Sequence, residues 1–115
     1  NYNVKRQIQE AQLDIAYQQL LFAYKRSTTR SAVSNAFKNY TLQLRTLELE
    51  EENIKLAKEN VYIALERNRL GLSTILELRE SQKSLEDSYN RLIAARYAAK
   101  VAETELKRLR GDLVM

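Results

Sequence analysis

The 115-residue chain has no cysteine, no histidine, no tryptophan and no proline, and only two glycines. Without Cys or His there is no thiol nucleophile, no Ser-His-Asp triad, no zinc-finger site and no Glu-x-x-His di-iron centre. Without Cys the redox compartment cannot be read. Ordinary usage would place about eight Gly and six Pro in this length. Sandwiches, barrels and α/β domains need such turn residues, so their scarcity excludes those classes. Long hydrophobic runs are missing too. Stretches such as Leu20 to Tyr24 and Val61 to Leu65 stop at five residues, too short for a helix across a bilayer. The chain begins at Asn1, without an initiator Met, and reads as a single fragment, residues 1–115, of a larger protein.

What is present points one way. Ala, Glu, Leu, Lys and Arg supply more than half of the residues, the composition of long helices and coiled coils. The formal net charge is +4. Its surplus lies in residues 1–34, where Lys5, Arg6, Lys25, Arg26 and Arg30 face only Glu10 and Asp14. A nucleic-acid site would show a denser basic stripe, so no nucleic-acid partner is expected.

One strong break interrupts the helical pattern. Gly71 suits the left-handed position beyond a helix end, and Arg67 and Arg69 complement the dipole of the turn before it. Thr74 to Glu77 reads as a capping box, with the Thr hydroxyl accepting from the Glu77 amide and the Glu77 carboxylate reaching back to the Thr74 amide. A loop this short makes its helices antiparallel neighbours. The second helix should stop near Leu109, with Arg108 and Arg110 at its end and Gly111 beyond. A softer break is Ser27 to Ser31. Lacking Gly and Pro, it is expected to stay helical. The expected fold is all-α: a long antiparallel coiled-coil hairpin over about residues 3–70 and 75–109. The alternative, with a turn at Ser27 to Ser31, is a three-helix bundle.

Heptads divide the first helix into two seams. Val33, Tyr40, Leu47, Ile54 and Val61 form one; Leu42, Leu49, Leu56, Ile63 and Leu70 form the other. Two residues is about 200° of helical rotation, so the seams face nearly opposite ways. The second helix offers Leu78, Leu85, Leu92, Ala99 and Leu106, interleaved with Ser81, Ser88, Ala95, Ala102 and Leu109. A loop centred near residue 72 or 73 pairs Ile54 with Leu92 and Leu47 with Ala99. The Leu42 to Leu70 seam is left without an internal partner. So are Ile8, Ile15 and Phe22, and Leu13 and Leu20. Self-association is the expected consequence, in a geometry that need not be native.

No catalytic constellation emerges, and the chain is read as not an enzyme, with no cofactor and no metal. The acidic run Glu48, Glu50, Glu51 and Glu52 points in several directions around a helix and does not converge on an ion. The tyrosines, Tyr17, Tyr24, Tyr40, Tyr89 and Tyr97 among them, read as core or rim packing with hydrogen-bonded hydroxyls. Asn68 and Glu51 fall on or beside the seams, where polar residues often set register.

The string from Arg67 through Leu70-Gly71-Leu72-Ser73 and Ile75-Leu76-Glu77-Leu78 carries a resemblance. It continues with Ser81-Gln82, Leu85, the Ala-rich stretch from Ala94 to Ala102, and Leu106, Leu109, Gly111 and Leu113. It resembles the second helical hairpin of TolC-like outer-membrane efflux proteins. The resemblance covers nearly the whole chain, with its specificity between residues 67 and 113. It implies a trimeric channel of a Gram-negative bacterium, with a β-barrel in the outer membrane and an α-helical tunnel in the periplasm, to which this segment would belong. It implies a docking tip, Leu70, Gly71, Leu72 and Ser73, for a periplasmic adaptor, and through it an indirect link to an inner-membrane transporter, in drug efflux or type I secretion. The gate of the best-known member uses Tyr, Arg and Asp. The matching positions here are Asn68, Ser73 and Glu80, so only the acid is kept, and a gate region at Asn68 and Glu80 departs from that pattern. Rival readings are a scaffold coiled coil such as a spectrin-like bundle, the adaptor's own hairpin, and a basic nucleic-acid-binding coiled coil.

Overall fold

A computed structural model describes residues 1–111. Leu113, the last residue of the resemblance, lies outside them. The fold is all-α, with two long helices, α1 (Tyr2–Arg69) and α2 (Ile75–Arg110), packed against each other. The expected boundaries hold to within about a residue. The chain divides into two units, residues 1–35 and residues 36–115.

Residues 2–35 of the first unit are helical throughout, Ser27 to Ser31 included. The three-helix alternative, which required a turn there, is not the fold. Nothing in the stretch forces a turn, since it has neither Gly nor Pro. Thr28 turns its hydroxyl back on the helix and donates to the carbonyls of Tyr24 at 3.0 Å and Lys25 at 2.9 Å. Such back-bonding satisfies a side chain that would otherwise compete for the backbone. Arg6 and Glu10, one turn apart, form an ion pair at 3.5 Å. No residue of this unit is buried; Ile8, Leu13, Ile15, Leu20 and Phe22 are exposed.

The second unit is the hairpin. On α1 one row of half-buried or buried positions runs Ala36, Tyr40, Gln43, Leu47, Glu50, Ile54, Ala57, Val61, Ala64 and Asn68, with Thr41, Thr46, Asn53 and Glu66 half-buried beside it. The row alternates by fours and threes, the spacing of a coiled-coil seam. On α2 the matching row runs Leu78, Ser81, Leu85, Ser88, Leu92, Ala95, Ala99, Ala102, Leu106 and Leu109. The α2 row contains the seam expected from the heptads, and the α1 row contains it from Tyr40 to Val61, Val33 falling in the first unit. Its core is Ile54, Ala57, Leu92, Ala95, Ala99 and Ala102. A two-layer interface covers only one side of each helix, so small side chains bury fully while most Leu stay half-open. A fully buried Leu or Ile contributes about 1.5–3 kcal/mol, which makes Ile54 and Leu92 the anchors.

Two contacts fix the register. Arg91 meets Glu50, and the Lys58 ammonium lies 5.6 Å from the ring centre of Tyr89. Residues 50 and 58 are about one turn either side of Ile54, which is thereby set beside the stretch next to Leu92. The second heptad row stays outside: Leu42, Leu49, Leu56, Ile63 and Leu70 are all exposed. No helix among the described residues is long and apolar enough to cross a membrane.

Candidate docking site at the hairpin tip

Helix α1 ends in a Schellman motif. The Leu72 N–H donates to the Arg67 carbonyl at 2.8 Å and the Gly71 N–H to the Asn68 carbonyl at 3.0 Å, satisfying carbonyls that the helix end leaves open. This reversal puts Gly71 at φ +74°, where a side chain is strained. A Cβ there would meet nothing within 4 Å. Glycine is therefore required by its backbone angle, and not by any close approach within the chain. Arg69 and Glu66, at 3.1 Å, brace the last turn.

Helix α2 begins at Thr74, whose hydroxyl accepts from the Glu77 N–H at 3.2 Å. Only this half of the expected capping box forms. The Glu77 carboxylate is exposed and does not return to the Thr74 N–H. One accepting hydroxyl is enough to cap the helix. At the far end Gly111, at φ +90°, closes α2 through its N–H to the carbonyls of Arg108 and Lys107.

The four expected docking residues do not behave alike. Leu70 and Leu72 are 71% and 66% exposed and stand on either side of Gly71. Ser73 turns inward. Its Oγ is buried without a hydrogen-bond partner, and it lines a small groove with Ile63, Ala64, Arg67 and Ser81. As one of the four expected docking residues, Ser73 thus does not present its hydroxyl at the tip. What the tip presents is apolar: Leu70 and Leu72, with Ile75 and Leu76 also exposed just beyond.

The two gate positions are not brought together. Asn68 is half-buried on the seam and donates from Nδ2 to the Ser73 carbonyl at 3.3 Å. Glu80 is exposed and borders a larger groove of about 650 Å³ with Asn53, Asn60, Ser84 and Asp87. No hydrogen bond or ion pair joins Glu80 to Asn68.

The acidic run separates as its helical spacing requires. Glu50 enters the seam and pairs with Arg91, Glu52 pairs with Lys55 at 3.3 Å, and Glu48 and Glu51 are exposed. Among the described residues no group of carboxylates is arranged to hold a metal ion. Of these two neighbours, Glu50 lies on the seam and Glu51 is exposed. The tyrosines are also mostly outside: Tyr17, Tyr24, Tyr62 and Tyr97 are exposed, while Tyr40 alone of the seven lies on the seam. Sequence reasoning missed the Glu50, Ser88 and Arg91 cluster. Its signal was available: Glu50 stands three residues after Leu47 and four before Ile54, a seam spacing.

Compared with family models, curated proteins and solved structures, the chain matches none.

Proposed function

We propose that this chain is part of a trimeric outer-membrane efflux or secretion channel. In this reading it forms a hairpin of the periplasmic α-helical tunnel of a Gram-negative bacterium and docks an adaptor at its tip. The inner-membrane transporter is then engaged indirectly. The reading rests on the resemblance of residues 67–113 to TolC-like proteins. One structural observation supports it most: Leu70 and Leu72 are exposed at a turn that the Schellman bonds already close. Closing a hairpin needs the glycine, but it does not need two leucines in water. Exposed apolar area at such a point fits a partner surface. The exposed Leu42 to Leu70 row fits a neighbouring hairpin in the tunnel wall in the same way.

A scaffold coiled coil would use the seam alone and gives the tip no role. Leu72→Asp in the full-length protein separates the two. The channel reading expects folding and channel abundance to be kept, because Leu72 lies outside the seam, and adaptor-dependent efflux to be lost. Normal drug resistance at normal abundance would leave the tip as a turn.

A further inference from the structure

Two consecutive residues of the last turn of α1 reach past Gly71 and hold the backbone beyond it. Arg67 is bonded to Leu72 twice: its carbonyl accepts from the Leu72 N–H at 2.8 Å, and its guanidinium Nη2 donates to the Leu72 carbonyl at 3.5 Å. Asn68 is used twice as well. Its carbonyl accepts from the Gly71 N–H at 3.0 Å, and its side-chain amide donates to the Ser73 carbonyl at 3.3 Å. The two backbone bonds belong to any helix ending of this type. The two side-chain bonds do not. They are additions specific to an Arg and an Asn at these positions.

Asn68 is the more informative. It continues the heptad row of Tyr40, Leu47, Ile54 and Val61, and it is half-buried there. A leucine at this position would extend the apolar seam. Asparagine forgoes that burial, and what it makes instead is the bond to Ser73. A polar seam residue can also set helix register, but that use calls for a partner across the seam. The partner of Asn68 is the turn. A gate would call for contact with Glu80, and no bond joins them.

We infer that Asn68, assisted by Arg67, is a positioning residue for the tip. It fixes the path of Leu72 and Ser73, so that Leu70 and Leu72 meet the adaptor as a preformed apolar ridge. The inference rests on the docking reading above and extends it. Every residue that must be ordered only at docking weakens association by roughly five- to thirtyfold. A turn held in advance avoids that loss.

The test uses Asn68→Leu and Asn68→Asp. The first replaces the donor by an apolar seam side chain; the second keeps the shape but cannot donate to a carbonyl. Hydrogen exchange of the Gly71 and Leu72 amides in the 115-residue chain reads the order of the turn. Drug export by cells carrying the full-length variants reads docking, with Leu72→Asp as the control. Exchange at both amides is expected to speed up roughly tenfold in each variant, as one stabilising bond is lost. Export should fall in both. The melting temperature of Asn68→Leu should hold or rise. A purely structural asparagine would instead lower it. Unchanged exchange would overturn the positioning role whatever the export result. Faster exchange with full export, while Leu72→Asp is inactive, would overturn its relevance to docking. Full export by Leu72→Asp itself would remove the docking reading, and the inference with it, while leaving the exchange result as evidence about the turn alone.

Discussion

Arg91 crosses the hairpin to Glu50, its Nε donating to Oε2 at 3.3 Å, and its Nη2 also donates to the Ser88 hydroxyl at 2.9 Å. The Glu50 side chain is only 12% exposed, that of Arg91 53%. The pair is therefore asymmetric. Water can reach the arginine but hardly the glutamate, which depends on its partner.

Arg91→Ala should consequently cost more than a surface pair. Leaving a largely buried carboxylate without its donor is expected to lower stability by about 1–2 kcal/mol, with half-open burial keeping it at the low end. Glu50→Leu should do the opposite, since its position lies between Leu47 and Ile54 on the seam. Urea unfolding of both variants at pH 7 reads the two signs. Equal destabilisation by both would mean the pair is a net anchor of the fold.

The exposed row Leu42, Leu49, Leu56, Ile63 and Leu70 should drive self-association of the 115-residue chain. Light scattering across the micromolar range is expected to show a mass that rises with concentration. Leu49→Glu combined with Leu56→Glu should return it to a monomer while helicity is kept, because both side chains already face solvent. A monomer at high micromolar concentration without the substitutions would contradict this.

The parts of the fold set by periodicity and by turn chemistry were legible in the residues. Seven-residue spacing identified which seam of α1 faces α2 and which does not, and Gly71 and Gly111 marked both helix ends. Ser27 to Ser31 was harder, since Ser and Thr permit either outcome. With neither Gly nor Pro the stretch has no residue that forces a turn, and the Thr28 hydroxyl is accommodated in the helix by bonding the carbonyls of Tyr24 and Lys25, a choice of rotamer that composition does not express. At the tip the identity of the residues was legible and their orientation was not. Whether Ser73 faces out depends on the dihedral angles between Gly71 and Thr74, and these turn it into the groove. Glu50 was misassigned to its neighbour Glu51 because charge in a run draws attention to the run rather than to its phase.

Ser73→Ala follows from that orientation. Removing a buried hydroxyl that has no partner should leave stability unchanged or raise it by a few tenths of a kcal/mol, on the order of a desolvation cost relieved. In the channel reading, drug export by the full-length variant should be intact. A loss of export at unchanged stability would show that the hydroxyl takes part in docking after all.

Acid should loosen the end of α2. Lys107 at 2.9 Å and Lys100 at 3.6 Å flank Glu103. The hydrogen bond from Lys107, then the charges of Lys100 and Lys107, hold its carboxyl below the ordinary value. The hydrogen bond from Arg108 does the same for Glu105. A lowered carboxylate contributes stability above its unfolded value and loses it as pH falls through the folded one. The last turns should therefore fray below about pH 4.5, weakly, because these groups are open to solvent. Cα chemical shifts of residues 103–110 read the fraying. Glu103→Gln with Glu105→Gln should abolish the pH dependence; a transition that persists in that variant would assign it elsewhere.

The docking proposal is tested most directly by disulfide cross-linking at the tip. The chain has no cysteine of its own, so Leu72→Cys introduces one at the exposed end of the hairpin. The control is Tyr97→Cys, also exposed but roughly 30 Å along α2 from the turn. Each is placed in the full-length protein, in cells whose periplasmic adaptor carries a cysteine at its own hairpin tip. The expected result is a covalent product containing both proteins with Leu72→Cys and none with Tyr97→Cys. No product at Leu72, or equal product at both positions, would contradict docking at the tip.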